Sequence, residues 1–322
     1  METLESRLRS ELENWRQRLP EAWQSHFANV ELNFGAVDSG TTLDTNERIW
    51  PQETNTGGPV GAHVFKALHD LRPEEIRVVI FGNDPYTQLE QATGRSFEQG
   101  NLTNWMQDAK NPKSRFSPSL KTLIAAALAT TGLGAKFPLV DRRVVFNPDE
   151  FRYDPNDKWG KWNYGPAPLW LSHLALELCF SSGEVNLPSP AQIFDHWSKQ
   201  GVLWINRTLT YTKWETDVGQ PGHRRSHQKV WEPFTHRLID TLIEGASTGH
   251  RLHFALWGGE AKEIGELVRQ KAQAAGKSEI AFSQTGHPQR PENYFLGSGA
   301  EKLMNPLGEI NKDIQGKPIE WI

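Results

Sequence analysis

Four polar side chains stand where apolar runs give way to glycine, asparagine or proline. Asp84 and Tyr86 lie in Gly82-Asn83-Asp84-Pro85-Tyr86, Asn206 follows Val202-Leu203-Trp204-Ile205, and His287 sits between Gly286 and Pro288. A carboxylate can take a proton or face a developing cation, and an imidazole can donate to a developing anion. A side-chain amide presents one donor and one acceptor. Each residue also has an ordinary explanation: Asp84 can cap a helix or turn, Asn206 can tie down a loop, and His287 can be a surface residue. Together, at the same end of successive strands, they point to a site.

The elements that must carry these groups are legible as periodicity. Ile76–Phe81, Gly201–Ile205 and His253–Trp257 are largely apolar, the first rich in β-branched residues, and each stops at a polar or glycine-containing segment, as buried parallel strands do. Ile280-Ala281-Phe282 is a weaker fourth candidate. Helices are predicted at 3–19, 61–71, 119–130, 190–200, 228–244 and 260–275. The alternation gives a three-layer α/β/α class with a central, mostly parallel four-stranded sheet. In such sheets ligands bind beyond the carboxyl ends of the strands, where Asp84, Asn206, Gly258-Gly259 and His287 all fall. Residues 1–60 are predicted to be a helical and loop extension, and 61–322 a single α/β domain. An aromatic, proline-rich insertion is placed at about 131–189.

Composition excludes several classes. The 322 residues carry 35 Lys and Arg against 39 Asp and Glu, a net charge of −4, so bulk positive charge cannot drive binding to a polyanion, although a local basic groove can. A single cysteine, Cys179, excludes an internal disulfide framework and a four-thiolate metal site. No run approaches the roughly 18 apolar residues of a membrane span. The first twenty residues lack the apolar core of a secretory leader. A soluble, cytoplasmic protein is expected. The 13 tryptophans, several between Trp159 and Trp214, either fill a core and its rim or offer flat surfaces to stacking ligands.

The motifs in order resemble the uracil-DNA glycosylase family. Val78–Tyr86 is similar to that family's water-activating loop, and Phe97 in Gly94-Arg95-Ser96-Phe97 falls where the family has a base-stacking phenylalanine. Ser117-Pro118-Ser119-Leu120 resembles its phosphate-pinching loop. Trp197–Asn206 resembles the segment that delivers a uracil-reading asparagine. Ser226-His227, Trp231–Thr235, Leu256–Gly259, Gly286–Pro288 and the tail residues Phe295, Gly297, Asn305 and Pro318–Trp321 also match. The resemblance runs from about residue 48 to the end of the sequence.

It implies hydrolysis of an N-glycosidic bond in DNA, leaving an abasic site, with DNA as the partner of a monomeric enzyme. Asp84 would face the oxocarbenium-like sugar and orient or deprotonate water, as in other glycoside hydrolyses. Pro85 biases Asp84 towards an extended backbone. His287, as a neutral imidazole, would hydrogen-bond the O2 of the departing pyrimidine. The base must be flipped out, stacked on Phe97 and read by the Asn206 amide, whose fixed donor and acceptor match uracil and not cytosine. Tyr86 would pack against C5 and exclude a methyl group, with Asn83 beside it. Ser117, Ser119, Gly258 and Gly259 would meet the DNA backbone. Lys113, Arg115, His223, Arg224 and Arg225 supply positive charge, though solvated surface positions are the better explanation of each such residue. No cofactor or metal is implied, and no HExxH or His/Cys cluster suggests one.

The departures from the family lie at the pocket rim. Asn83 stands where compact members have glutamine, Thr87 where they have histidine, and Gln289–Asn293 where they have a leucine wedge, for which the Arg290 guanidinium is a candidate substitute. These changes leave open a modified pyrimidine as substrate, such as the glucosylated hydroxymethylcytosine of phage DNA excised in antiphage defence. A catalytically silent DNA-binding module is a further alternative. An unrelated nucleotide-binding α/β protein is disfavoured, since neither a Walker loop nor a GxGxxG turn follows the first strand.

Overall fold

The computed structural model describes residues 2–105, 117–131, 139–140, 167–168, 187–212, 222–246, 251–295 and 304–322. Its centre is a four-stranded sheet of β1 (Val78–Gly82), β2 (Val202–Asn206), β3 (Leu252–Trp257) and β4 (Ile280–Thr285), in the order β2-β1-β3-β4. All three pairings are parallel, so every strand delivers its carboxyl end to the same edge. Successive side chains of a strand point to opposite faces. Val79, Phe81, Leu203, Ile205, Phe254 and Leu256 accordingly join one apolar cluster, and Val78, Ile80, Trp204, Ala255 and Trp257 the other. Burial on both faces explains why these strands read as continuous apolar runs.

Helices cover both faces. On the first side lie α1 (Leu4–Glu11), α4 (His223–Gly245) and α5 (Gly259–Ala274), contributing Leu8, Phe234 and Ile264 among others. On the second lie α2 (Pro118–Leu128), α3 (Pro190–Ser198) and α6 (Pro306–Asp313), contributing Leu123, Trp197 and Ile310. Their starts follow local chemistry. Ser117 and Asn305 accept the Leu120 and Leu307 backbone N–H groups, with proline at the next position in each case. The amino-terminal segment packs into the same core: Leu4, Leu8, Leu12 and Trp15 are buried, and the Trp15 ring centre lies 5.8 Å from that of Phe234.

Several expected elements differ in extent. The helix predicted over 3–19 ends at Glu11, because Asn14 adopts a left-handed conformation (φ 54°) and a short 3₁₀ turn over Trp15–Arg18 follows. The turn still directs Trp15 and Leu19 inward, so the apolar spacing persists without a continuous helix. The helix predicted over 61–71 is one turn, Lys66–His69. The weak fourth strand is six residues long and pairs with β3 along its whole length, support that its own composition does not advertise. Helix α4 begins at His223, five residues before its predicted start. Most of the predicted insertion lies outside the described residues, together with Cys179, Lys113, Arg115, Gly297, Trp159 and Trp214. Of the described tryptophans, Trp23, Trp197, Trp204, Trp231, Trp257 and Trp321 are fully buried, which makes them core residues. No helix among the described residues is long and apolar enough to cross a membrane.

Candidate active site

Parallel register makes the site's first contact. Gly82 ends β1 opposite Asn206 at the end of β2, and the pairing continues beyond both strands. The Arg207 N–H donates to the Gly82 carbonyl and the Thr208 N–H to the Asn83 carbonyl, both at 2.9 Å. The Asn206 side chain is therefore held beside the Asn83-Asp84 turn, buried at 4% exposure. A β-carbon on Gly82 would stand 2.2 Å from Asn206 Oδ1 and 2.7 Å from Ser96 Cβ. Only glycine leaves room for that amide.

Asp84 is 12% exposed at its side chain and heavily loaded on one oxygen. Oδ2 accepts from Asn83 Nδ2 and from Arg224 Nε, each at 2.6 Å, whereas Oδ1, equally buried, takes neither. Arg224 reaches onward to Glu260 Oε1 at 2.8 Å. Burial raises the Asp84 pKa above the usual carboxylate value, because desolvation penalises the charged form. Arg224 opposes that rise, Glu260 adds to it, and the Thr208 hydroxyl slightly offsets it.

His287 follows the end of β4 at the same edge of the sheet. Its Nδ1 accepts a hydrogen bond from the Gln289 backbone N–H at 3.1 Å. Burial lowers its pKa below that of an ordinary imidazole, with Glu260 as a counterweight. The resting ring is thus neutral, and with Nδ1 engaged as an acceptor its proton belongs on Nε2. Gly258, at φ +97°, passes close behind: a β-carbon there would meet His287 Cβ at 3.0 Å and Cδ2 at 3.2 Å.

The Phe97 ring completes a wall, 5.8 Å from the His287 ring and 5.8 Å from that of Trp257. Its backbone is left-handed (φ 62°), a conformation uncommon for a bulky residue and maintained only where the surroundings enforce it. The enforcement is visible. The Ser96 N–H donates to the Trp204 carbonyl at 3.2 Å, and the Tyr86 hydroxyl donates to the Phe97 carbonyl at 3.1 Å. Buried Arg95, next but one along the chain, pairs with Asp70, Asp195 and Glu98 and pins the segment from the other side.

A cavity of about 240 Å³ opens beside these groups, lined by Gly82, Asn83, Arg224, Gly259, Glu260 and His287 among others; Asp84, Tyr86, Phe97 and Asn206 are not in its lining. Two of its lining residues, Asn83 and Arg224, are the hydrogen-bond partners of Asp84. Glu260, which lines the cavity, acts electrostatically on both the carboxylate and the imidazole.

The remaining candidate residues are placed unevenly. Ser117 Oγ caps α2 and bonds the Tyr86 hydroxyl at 2.6 Å, linking the loop expected to meet phosphate to the ring expected to face the base. Ser119 is buried in the first turn of α2. Gly259 borders the cavity, and a β-carbon there would meet nothing within 4 Å. Arg290 is exposed, its backbone N–H bonded to the His287 carbonyl at 2.8 Å. His227, matched by the resemblance, is structural: its ring nitrogens lie 2.8 Å from Thr210 Oγ1 and 2.6 Å from Thr212 Oγ1 in full burial. Sequence reasoning missed Arg224 and Glu260 as partners of Asp84. The available signal was the basic run His223-Arg224-Arg225, which in sequence reads only as a source of positive charge.

No family model matches the chain. It is 26% identical over 211 residues to a uracil-DNA glycosylase of Oceanobacillus iheyensis, an alignment covering 65% of this chain and 59% of that protein. A uracil-DNA glycosylase of Bacillus pumilus is 27% identical over 281 residues, covering 85% and 86% of the two chains. Among solved structures, mimivirus uracil-DNA glycosylase superposes with a TM-score of 0.53 at 20% identity, over 100% of this chain and 94% of that one. The chain is related, at low sequence identity, to the uracil-DNA glycosylase superfamily and shares its fold.

Proposed function

We propose that this protein is a DNA glycosylase that hydrolyses the N-glycosidic bond of a flipped-out uracil and leaves an abasic site. The observation that carries the reading is a cavity at the carboxyl edge of the sheet lined by a neutral, Nε2-protonated His287 and by Asn83 and Arg224, the two residues that hold the Asp84 carboxylate. Ionised Asp84 stabilises the cationic sugar and orients the attacking water. As the C–N bond breaks, its electron pair moves onto the pyrimidine, and the His287 Nε2–H stabilises the charge gathering on O2 without presenting a cation to the ground state. Phe97 supplies the stacking face. Asn206 supplies the reading amide, and Tyr86, tied through its hydroxyl to Phe97 and Ser117, closes the C5 side. The relatives named uracil-DNA glycosylase support the same assignment. DNA is the partner this implies.

A second reading, excision of a bulkier modified cytosine, is favoured by the polar side chains at the cavity, Arg207, Glu260 and Gln289, which could bond a hydroxylated substituent. One experiment separates the readings. Oligonucleotides carrying uracil, thymine or modified cytosines are incubated with the protein and then cleaved with alkali. Breaks at uracil support the first reading, and breaks confined to modified cytosine support the second. Tight binding without breaks in any substrate would make the protein a silent DNA reader.

A further inference from the structure

We propose that Arg224 is a positioning residue for Asp84: clamped between Asp84 and Glu260, its guanidinium holds the carboxylate by Oδ2 and leaves Oδ1 to the reaction. The inference rests on the glycosylase reading and adds a residue to it.

The clamp has two ends. Arg224 Nε meets Asp84 Oδ2 at 2.6 Å while a terminal nitrogen meets Glu260 Oε1 at 2.8 Å, so the planar group is fixed in orientation and distance. Asn83 Nδ2 loads the same Asp84 oxygen, which makes the two carboxylate oxygens unequal. The location is electrostatically costly for α4, since a cation in the first turn opposes the helix dipole. Helix stability therefore does not account for Arg224 being there. What it does serve is a carboxylate that is almost buried and would otherwise be driven towards its neutral form. The groups acting on Asp84 come from each element around it: Arg224 on α4, Glu260 on α5 and the Thr208 hydroxyl beyond β2, with His287 facing them across the cavity. Arg224 is the cation among those acting on it.

The test uses the full chain as wild type, Arg224→Gln and Arg224→Lys. Carboxyl carbon-13 NMR, with Asp84→Asn identifying the Asp84 signal by difference, follows ionisation of Asp84 directly. Single-turnover excision from a uracil-containing oligonucleotide is measured in parallel from about pH 5 to about pH 8. In Arg224→Gln the Asp84 signal should titrate at higher pH than in wild type. Its excision rate at the acid end, relative to the alkaline end, should fall on the order of tenfold further than in wild type. Arg224→Lys keeps the charge but not the Nε donor and should lie between; it carries the test if Arg224→Gln does not fold. An unchanged Asp84 titration in a folded variant overturns the proposal, as does an unchanged acid limb in an active one. If wild type excises no base, the glycosylase reading fails by itself, and the NMR titration still decides whether the clamp holds Asp84.

Discussion

At the scale of single residues, the two groups proposed to act have opposite protonation needs, and their surroundings bear on both. Asp84 must be ionised although burial raises its pKa, and His287 must be neutral, which burial favours. Both conditions fail on the acid side, so the single-turnover rate should fall as pH drops and show no alkaline loss from these groups. A rate rising towards acid pH would contradict the assignment. Asp84→Asn should abolish excision while DNA binding, measured by fluorescence anisotropy, stays largely intact; equal loss of both would make Asp84 structural. His287→Ala removes the donor to the leaving base and should slow single-turnover excision on the order of 10²–10³-fold. Asp84, Tyr86, Asn206 and His287 were visible in the sequence because strand ends announce themselves. The pairing of Arg224 was not, because its partners lie 140 and 36 residues away along the chain.

At the scale of elements, the site depends on how α2 and the loop after β1 are joined. Ser117 caps α2 through its hydroxyl oxygen and hydrogen-bonds the Tyr86 hydroxyl through the same group. Ser117→Ala should therefore cost about 0.5–2 kcal/mol in thermal or denaturant unfolding, the usual magnitude for a lost cap. It should also loosen Tyr86, measurable as weaker discrimination between uracil and thymine. A variant that lost stability but discriminated as well as wild type would show that Phe97 alone fixes the ring. The short 3₁₀ turn after α1 shows the complementary limit: apolar spacing predicted where side chains go, while the left-handed Asn14 decided that the backbone would not arrive there as one helix.

At the scale of the whole molecule, fully buried neutral histidines couple the fold to pH. Burial pushes His227 down to about 3, between the hydroxyls of Thr210 and Thr212. As pH falls through the ordinary imidazole value of about 6.5, the unfolded chain takes up a proton that the folded state refuses, so stability declines down to the folded value. At about pH 5 the loss from this one residue is about 2 kcal/mol. His227→Gln should be less stable than wild type at neutral pH, yet its stability should depend on pH less steeply by about one proton over that window. Equal slopes in chemical denaturation at several pH values would mean that His227 is protonated in the folded protein.

The sequence by itself determined the class of fold and the edge of the sheet where chemistry could occur, because apolar runs of strand length and the residues that end them are local properties. It also put forward, through a family resemblance, the side chains of that edge proposed to act on a glycosidic bond. Tertiary structure decided what no local pattern encodes: that Asp84 shares one oxygen with Asn83 and Arg224, that His287 is held as the Nε2–H form by the Gln289 backbone, and that most described tryptophans are core. These are consequences of desolvation and of contacts between distant segments, and both exist only once the sheet has brought its strand ends together.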